Sequence, residues 1–418
     1  MTAAPNAAPA HRALPGERRP PRPWVWAALY FPYGLSFGFP AIALGFLGSR
    51  AGVPVSAVAG VVGMTMLAAG WKFLWAPIGD YTLSRKRWYA LAISLTAAGL
   101  VGLTTVPFTA RNAPVLAALV LLTSVAATFV AFATEGLLVH NTPPERRGRA
   151  AAWFQSGNQF GQTAGGGLGL WLLTHLPSPW MAGAALAALV GGCALALVGL
   201  EDPPAAAAGT SVAHRAAEAW HHLVDVLRSR AGRIALLLAV LPIGTAAAQV
   251  LFGSLASEWH ASGDTVSLVL GIGGGAAIVA GCFAGGRLAE RVPPPVAYAL
   301  SCALGLLACV VMALSPRTAA AYAATTLFYT FAVGMTVAAF TVLVLAIVGR
   351  TAAATKLNLF FALNTLFSLA MLRVAGWAHD ARGADGSLYA EALVGVASLA
   401  VFALAARRPP AAVVVQEA

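Results

Sequence analysis

The chain has 418 residues, of which 59% are hydrophobic and only 10% are charged, and its mean hydropathy is +0.76. A soluble globular protein carries about 25% charged residues, so this composition excludes a chain whose surface is mostly covered by water. The net charge of +11 does not indicate nucleic-acid binding, because the basic residues form short clusters between long apolar runs. The composition therefore predicts an all-α integral membrane protein.

Residues 1–22 are rich in proline, alanine and arginine and contain no cleavable signal sequence, so they are predicted to form a disordered cytosolic tail. Beyond them, long apolar runs recur along the chain, and a helix needs about 20 such residues to cross the hydrocarbon core of a bilayer. The runs begin at Trp24, Val53, Trp88, Ala113, Ala150, Pro179, Arg233, Thr265, Pro295, Thr318, Leu357 and Leu388. They predict twelve transmembrane helices.

The longest loop, residues 201–232, divides these runs into six and six. It is predicted to be a cytosolic linker between an N-terminal bundle over residues 23–200 and a C-terminal bundle over residues 233–406, with a cytosolic tail at 407–418. Within the linker, apolar residues recur at helical spacing with charges between them, which predicts an amphipathic helix on the membrane surface.

The distribution of lysine and arginine predicts the orientation of the chain in the membrane. With the N-terminus inside, 20 of the 26 basic residues fall in inner segments and only Arg50, Arg111, Arg317 and Arg382 fall outside. Basic residues concentrate on the cytoplasmic side of membrane proteins. Both termini are therefore predicted to be cytoplasmic.

Two charged, glycine-initiated turns occupy equivalent places in the two halves. The turn after the second helix and the shorter one after the eighth contain the candidate gate residues Gly79, Asp80, Arg85, Arg87, Gly286 and Arg291. Such charges can bridge helix ends and hold one face of a transporter shut, although a positive turn can also serve only to fix topology. A chain of six plus six helices with matching loops resembles the major facilitator fold, in which a pseudo-twofold axis relates the halves.

The residues around the first of these turns carry a narrower resemblance. The sequence Trp71-Lys-Phe-Leu-Trp-Ala-Pro-Ile-Gly-Asp80, followed by Arg85-Lys-Arg-Trp88, resembles the second-helix motif of the AmpG-type muropeptide permeases. These belong to the peptide–acetyl-coenzyme A transporter branch of the major facilitator superfamily. The resemblance implies a proton-coupled carrier of muropeptide, amino-sugar or peptide-like cargo in a bacterial-type plasma (inner) membrane.

Three ionisable residues fall within predicted membrane helices, where charges are costly and rare and so indicate function. Lys72 is a candidate substrate contact, although its side chain also lies close enough to the inner end of its helix to reach the interface. Glu135 is the candidate proton-coupling residue, and the alternative is an ion pair at a helix end, with Lys72 as the candidate partner. Arg373 lies near the middle of its helix, and its guanidinium suits an anionic solute.

The fifth predicted helix carries two stripes. Gln155, Asn158, Gln159 and Gln162 lie at i, i+3, i+4 and i+7, on one face of the helix. They are predicted to line a central cavity and bind a polar solute, unless they only bond neighbouring helices. A glycine stripe runs from Gly157 to Gly169 at every fourth residue and permits close packing, with the glycine-rich start of the eighth helix as its expected partner. The weaker candidates are Asn358 and Asn364 in the eleventh helix and Tyr30 and Tyr33 in the first.

The sequence therefore predicts a secondary transporter for a small polar or anionic solute, driven by H⁺, rather than an enzyme. Neither a metal nor any other cofactor is expected, since the four cysteines lie inside apolar runs without ligand spacing. The expected partners are the lipid bilayer, the solute and the proton, with no nucleic acid and no obligate protein partner. A polytopic acyl- or glycosyl-transferase and a transporter-like sensor that moves no solute are the alternatives.

Overall fold

The chain folds into helices joined by short loops, and no strand is assigned among the described residues. Helices are expected because hydrocarbon offers the backbone N–H and C=O groups no water to bond. The predicted terminal tails and the amphipathic linker helix lie outside the described residues. The computed structural model describes residues 21–44, 47–48, 51, 53, 55–203, 229–348 and 353–406.

The N-terminal half contains six helices, and each begins within about three residues of its predicted start. They are α1 Trp24–Gly38, α2 Val55–Tyr81, α3 Arg85–Thr105, α4 Ala113–Asn141, α5 Arg147–His175 and α6 Pro179–Gly192. A π-helical segment, Phe39–Leu44, extends α1 beyond its axis-bending prolines, and a 3-10 segment, Cys193–Leu197, extends α6.

The C-terminal half is less regular. α7 consists of two segments, Arg230–Val240 and Ala247–Leu255, and α8 contains a π-helical stretch between its first and last turns. α11 and α12 form one run whose backbone leaves the helical region at Arg382 and Gly383, so α11 ends near residue 381 and α12 starts near 384. The bounds are α8 Gly263–Leu268, Val269–Gly273 and Gly274–Ala289, α9 Pro294–Leu314, α10 Ala319–Val348, and α11 with α12 Ala353–Ala406.

Eight stretches of the described residues are long and apolar enough to cross a membrane. One of them, Lys356–Leu404, has 49 residues and contains both α11 and α12. The remaining helices are α2, α5, whose amides lower its hydropathy, and the two-segment α7. Together the described parts of the chain supply twelve crossing helices. The loops after α2, α4 and α8 and the C-terminal end of α10 lie at one end of the bundle, which we call the basic face because the arginine-rich turns lie there.

The residues between the two segments of α7 have a backbone conformation that is incompatible with a continuous helix. Pro242 has no N–H to donate, and Gly244 and Ala246 adopt positive φ angles of 65° and 54°. A positive φ costs a residue with a side chain about 1 kcal/mol or more, so Ala246 needs support from its surroundings.

Glu391 on α12 provides that support. Its Oε2 accepts the N–H of Ala248 at 2.7 Å, and the hydroxyl of Tyr329 donates to its Oε1 at 2.7 Å. The carboxylate thus satisfies an amide in the first turn of the second α7 segment. Glu391 lies inside α12, which begins about four residues before the predicted Leu388, and it is 4% exposed.

The glycine stripe of α5 packs against α1 within the same half rather than against α8 as predicted. A Cβ added to Gly161 would lie 2.3 Å from the carbonyl oxygen of Phe31, and one added to Gly165 would lie 2.3 Å from that of Leu35. Gly34 on α1 faces α5 in return, since its Cβ would meet the carbonyl oxygen of Asn158 at 2.0 Å. Only glycine allows the two backbones to approach so closely. This contact fixes α1 and α5 as one rigid pair.

Substitution of these glycines is expected to separate the pair. We predict that Gly161→Ala lowers the free energy of unfolding by about 1–3 kcal/mol, because the added methyl group overlaps the Phe31 carbonyl. Gly167→Ala on the same helix is the matched control, since its Cβ would meet no atom within 4 Å. Thermal unfolding of both variants in detergent measures the difference, and equal melting temperatures would contradict the packing described.

Candidate functional site

A polar cavity of about 260 Å³ lies between the two halves, near the middle of the bundle. All four amides predicted on α5 contribute to its wall, and so do the predicted candidates Tyr33, Lys72 and Asn364. The C-terminal half adds aromatic rings and two threonines, Thr336 and Thr365. The lining includes Tyr30, Tyr33, Lys72, Gln155, Asn158, Gln159, Gln162, Tyr298, Thr336, Phe340, Phe361 and Asn364. The structure therefore gathers on one surface most of the residues singled out as solute ligands.

A second cavity of about 440 Å³ continues the first toward the face opposite the basic one. The two share five lining residues, Tyr33, Ala69, Asn158, Gln159 and Gln162. Beyond these the second cavity is lined by the far ends of α1 and α8, including Ile42 and Leu270. The polar surface is thus reached from the face opposite the basic one.

Toward the basic face, the carboxylate of Glu135 lies behind the cavity wall, next to the lining residues Tyr30 and Lys72, and is 1% exposed. Three side chains from three other helices converge on it. Asn358 of α11 donates to Oε2 at 2.6 Å, Tyr30 of α1 donates to Oε1 at 3.3 Å, and the Lys72 ammonium of α2 lies 3.7 Å from Oε1. A buried carboxylate is tolerated only when such donors and a cation compensate its lost hydration.

Lys72 belongs to both the cavity and the Glu135 cluster. Its ammonium lies 5.6 Å from the ring centroid of Tyr33 and 5.7 Å from that of Phe361, distances at which a cation is attracted to an aromatic ring. The side chain is 8% exposed, so it does not reach the interface. The sequence analysis left open a substrate contact and an ion pair with Glu135, and the geometry combines the ion pair with a position in the cavity wall.

Between the cavity and the basic face, hydrogen bonds join the two halves. Besides the bond from Asn358 to Glu135, the Gln155 amide donates to the Thr341 hydroxyl at 2.7 Å and the Arg147 guanidinium donates to the Leu345 carbonyl at 2.8 Å. α5 and α8 also touch there, at Gly148 and Gly286. The protein is therefore closed at the basic face and open at the other.

The predicted gate residues have different positions at this closed end. A Cβ added to Gly286 on α8 would lie 2.4 Å from the carbonyl oxygen of Gly148 on α5, so Gly286 forms part of the contact between the halves. The guanidinium stem of Arg85 packs over Gly136, beside Glu135. Arg87 and Arg291 are exposed. Gly79 and Asp80 lie in the last turn of α2, and the side chain of Asp80 is outside the described part of the chain.

Arg373 does not line the cavity. Its side chain is exposed on the same face of α11 as Leu366 and Trp377, which are 61% and 71% exposed. These positions follow helical spacing and turn away from the other half. The geometry therefore gives no support to the prediction that Arg373 contacts the solute. The sequence could not show this, because a helix that is hydrophobic on all sides does not reveal which face points inward.

Sequence reasoning gave little weight to several residues that the structure places at the site. Asn358 and Tyr30 ranked low because one asparagine or tyrosine in a membrane helix is not unusual, and Thr341 and Arg147 were not proposed as links between halves. One signal was available for Asn358. An amide is costly in hydrocarbon, and its partner had to be another buried polar group such as Glu135.

Comparisons with known proteins agree with this architecture. The profile described as Major Facilitator Superfamily matches residues 26–355. Comparison with curated protein sequences gives no match. The fold is similar to that of the transporter FucP in its outward conformation, with a TM-score of 0.68 and 17% identity over 93% of this chain and 100% of that one.

Two further structures are similar at the level of the fold. The proton:xylose symporter XylE, bound to 6-bromo-6-deoxy-D-glucose, has a TM-score of 0.61 and 15% identity over 91% of this chain and 95% of its own. The human organic anion transporter MFSD10 has a TM-score of 0.66 and 17% identity over 92% of this chain and 100% of its own. The family match and these similarities confirm the predicted all-α membrane fold with two six-helix bundles.

The charge balance around Glu135 is testable through stability. We predict that Lys72→Met destabilises the protein by about 3–5 kcal/mol, because it removes the ammonium group that lies 3.7 Å from a buried carboxylate. The double variant Lys72→Met/Glu135→Gln is expected to recover more than half of that loss, since neither charge remains. Thermal unfolding at constant pH and ionic strength measures both effects. A single variant as stable as the unmodified protein would refute the pairing.

Proposed function

Because the chain belongs to the Major Facilitator Superfamily and is a membrane transporter by that membership, we propose that it carries a small polar organic solute by proton-coupled alternating access. One observation carries the proposal. Two residues of the cavity wall, Tyr30 and Lys72, contact the buried carboxylate of Glu135, which also accepts a hydrogen bond from Asn358 of the other half. Solute and proton would therefore act on the same contact.

The cavity wall supports a solute that is rich in hydrogen-bonding groups. The amides of Asn158, Gln159 and Gln162 offer both donors and acceptors, and Tyr33 and Phe361 offer faces for an apolar ring edge. The inner cavity of about 260 Å³ is smaller than the ~300–1,000 Å³ typical of sites for drug-sized ligands, which favours a compact solute. An amino sugar or a short peptide-like molecule fits this chemistry, in keeping with the resemblance of the second helix to muropeptide permeases.

Glu135 is the proposed proton-coupling residue. When it is ionised, it accepts charge-assisted hydrogen bonds from Asn358 and Tyr30 and pairs with Lys72. Uptake of a proton would remove the charge that holds Asn358 of α11 against α4. Protonation would therefore favour opening of the halves at the basic face, and release of the proton on that side would let the contact form again. Two of the similar structures are described as sugar:proton symporters, which is consistent with this cycle.

The proposed setting is a bacterial-type inner membrane, with both termini and the basic face in the cytoplasm. The support is the excess of lysine and arginine in the turns on that face. In this orientation the structure corresponds to an outward-open state. A sensor that binds the solute without moving it is the alternative, and flux measurements separate the two functions.

Uptake into proteoliposomes tests the proposal directly. With a proton gradient directed into the vesicles, the unmodified protein is expected to accumulate at least one solute from a panel of amino sugars, anhydromuropeptides, short peptides and coenzyme A esters. We predict that Glu135→Gln abolishes accumulation but keeps solute exchange, because glutamine can accept the bond from Asn358 and cannot carry a proton. The measurements are uptake with the gradient and counterflow without it.

Glu145→Gln is the matched control, since Glu145 is an exposed glutamate outside the cavity. Its accumulation is expected to equal that of the unmodified protein. Accumulation that persists in Glu135→Gln would remove Glu135 from the coupling role. The absence of flux for every solute, with binding retained, would favour the sensor.

The α5 amides provide a separate test of the cavity. For a transported solute, Gln159→Leu is expected to raise KM roughly two- to tenfold, because a neutral hydrogen bond contributes about 0.5–1.5 kcal/mol. Thr174→Val, near the far end of α5, is the control, since the Thr174 hydroxyl bonds to the backbone of its own helix. Initial-rate uptake over a range of solute concentrations measures KM. An unchanged KM in Gln159→Leu would place the solute elsewhere.

A further inference from the structure

An apolar groove runs down the outside of the bundle where the two halves meet. It has a volume of about 450 Å³ and lies between α1, α5, α6 and α8. Its walls are formed by small residues and aromatic rings, among them Ala28, Phe31, Phe160, Leu189 and Val279. Phe160 is 60% exposed and Leu189 40%, so the chain itself does not fill the groove. The groove is separate from the polar cavity, with which it shares no lining residue.

A second, charged pocket of about 330 Å³ joins the end of this groove at the basic face. The two spaces share Trp153 and Phe283, whose rings meet edge to face with centroids 5.0 Å apart. The charged pocket is lined by Arg149 on α5 and by Arg287 and Glu290 on α8. The combined space therefore has a cationic end at the membrane surface and an apolar end within the membrane.

The groups at the charged end leave capacity for an anionic ligand. Among the described residues, no carboxylate forms a salt bridge with the guanidinium of Arg149 or Arg287. Glu290 is already engaged, since its Oε1 accepts the backbone N–H of Arg149 at 2.8 Å. The indole N–H of Trp153 has no hydrogen-bond acceptor in the described part of the chain. Two guanidinium groups and one indole N–H are therefore donors for which the described part of the chain supplies no side-chain acceptor.

We propose that this composite space binds an anionic glycerophospholipid. Its phosphate group would lie between Arg149 and Arg287, its ester region beside Trp153, and one acyl chain in the groove along Phe160. Guanidinium pairs suit phosphate, and basic pockets between membrane helices at the cytoplasmic surface recognise anionic head groups. Tryptophan is enriched at the same depth, where its indole bonds to the interface.

The site also has a consequence for the transport cycle. Arg149 lies on α5 and Arg287 on α8, so the lipid contacts both halves beside the junction of Gly148 and Gly286. A ligand stabilises whichever conformation it binds more tightly. If the halves separate at the basic face, the two guanidinium groups move apart and one phosphate no longer spans them. The bound lipid therefore stabilises the conformation that is closed at the basic face.

Lipid retention tests the proposal without knowledge of the solute. The full-length protein is reconstituted in nanodiscs with equal amounts of phosphatidylglycerol and phosphatidylcholine of identical chains, and the lipid that remains bound after extraction is counted by native mass spectrometry. The unmodified protein is expected to retain phosphatidylglycerol at least fivefold over phosphatidylcholine. Arg149→Gln and Arg287→Gln are each expected to lower that ratio at least threefold. Leu189→Trp, which fills the groove, is expected to lower retention of both lipids.

Arg146→Gln is the matched control, because Arg146 is exposed on the same turn and lies outside the charged pocket. Its lipid ratio is expected to match that of the unmodified protein. Selectivity that survives in both Arg149→Gln and Arg287→Gln, or an equal loss in Arg146→Gln, would overturn the proposal. Full phosphatidylglycerol retention in Leu189→Trp would do so as well. Because each variant changes one exposed or half-exposed side chain, monodisperse elution identifies any that fail to fold.

Discussion

The burial of one carboxylate, that of Glu135, imposes the strongest constraint on this fold. A carboxylate 1% exposed in a membrane helix must find its compensation inside the protein, and it does so from α1, α2 and α11 together with its own α4. Three of these helices belong to one half and one to the other. The requirement that a single charge be solvated thus becomes a requirement that the halves meet. Tyr30 and Lys72 approach Glu135 from the cavity wall, and Asn358 approaches it from the other half. The contact that closes the basic face therefore lies next to the inner end of the polar cavity.

The close packing of α1 on α5 decides which residues reach that pathway. Glycines on both helices bring their backbones into contact, and a pair in such contact cannot rotate without a clash. The glycine face of α5 is therefore fixed toward α1, which leaves Asn158, Gln159 and Gln162 facing the space between the halves. The amides line the cavity as a consequence of the glycines. The conformational change then has to occur between halves rather than within this one, at contacts such as that of Gly148 with Gly286.

The features that were predictable from the sequence are those that depend on the bilayer and on helical periodicity. Span positions follow from hydrocarbon thickness, and the amide stripe follows from the repeat of α5, so both were predicted closely. The errors arise where the outcome depends on neighbours. Nothing in the run around Arg373 specifies which face of α11 points inward. The break in α7 and its support by Glu391 of α12 are a tertiary arrangement, which a single run of residues does not specify. Asn358 acquires its importance only when α11 lies against α4.

The energies involved bear on whether one proton suffices for the proposed cycle. A hydrogen bond to a charged group contributes about 1.5–3 kcal/mol, and the neutral ones from Gln155 and similar groups about 0.5–1.5 kcal/mol each. The movement of one elementary charge through 100 mV supplies about 2.3 kcal/mol. Neutralisation of Glu135 therefore removes a contribution of the same size as the energy that one proton delivers. Among the described residues, the other links at this face include the neutral bond from Gln155 and the charge-assisted bond from the Arg147 guanidinium to the Leu345 carbonyl. Protonation of Glu135 therefore removes only one of several links of comparable size, and solute binding has to supply the free energy that releases the others.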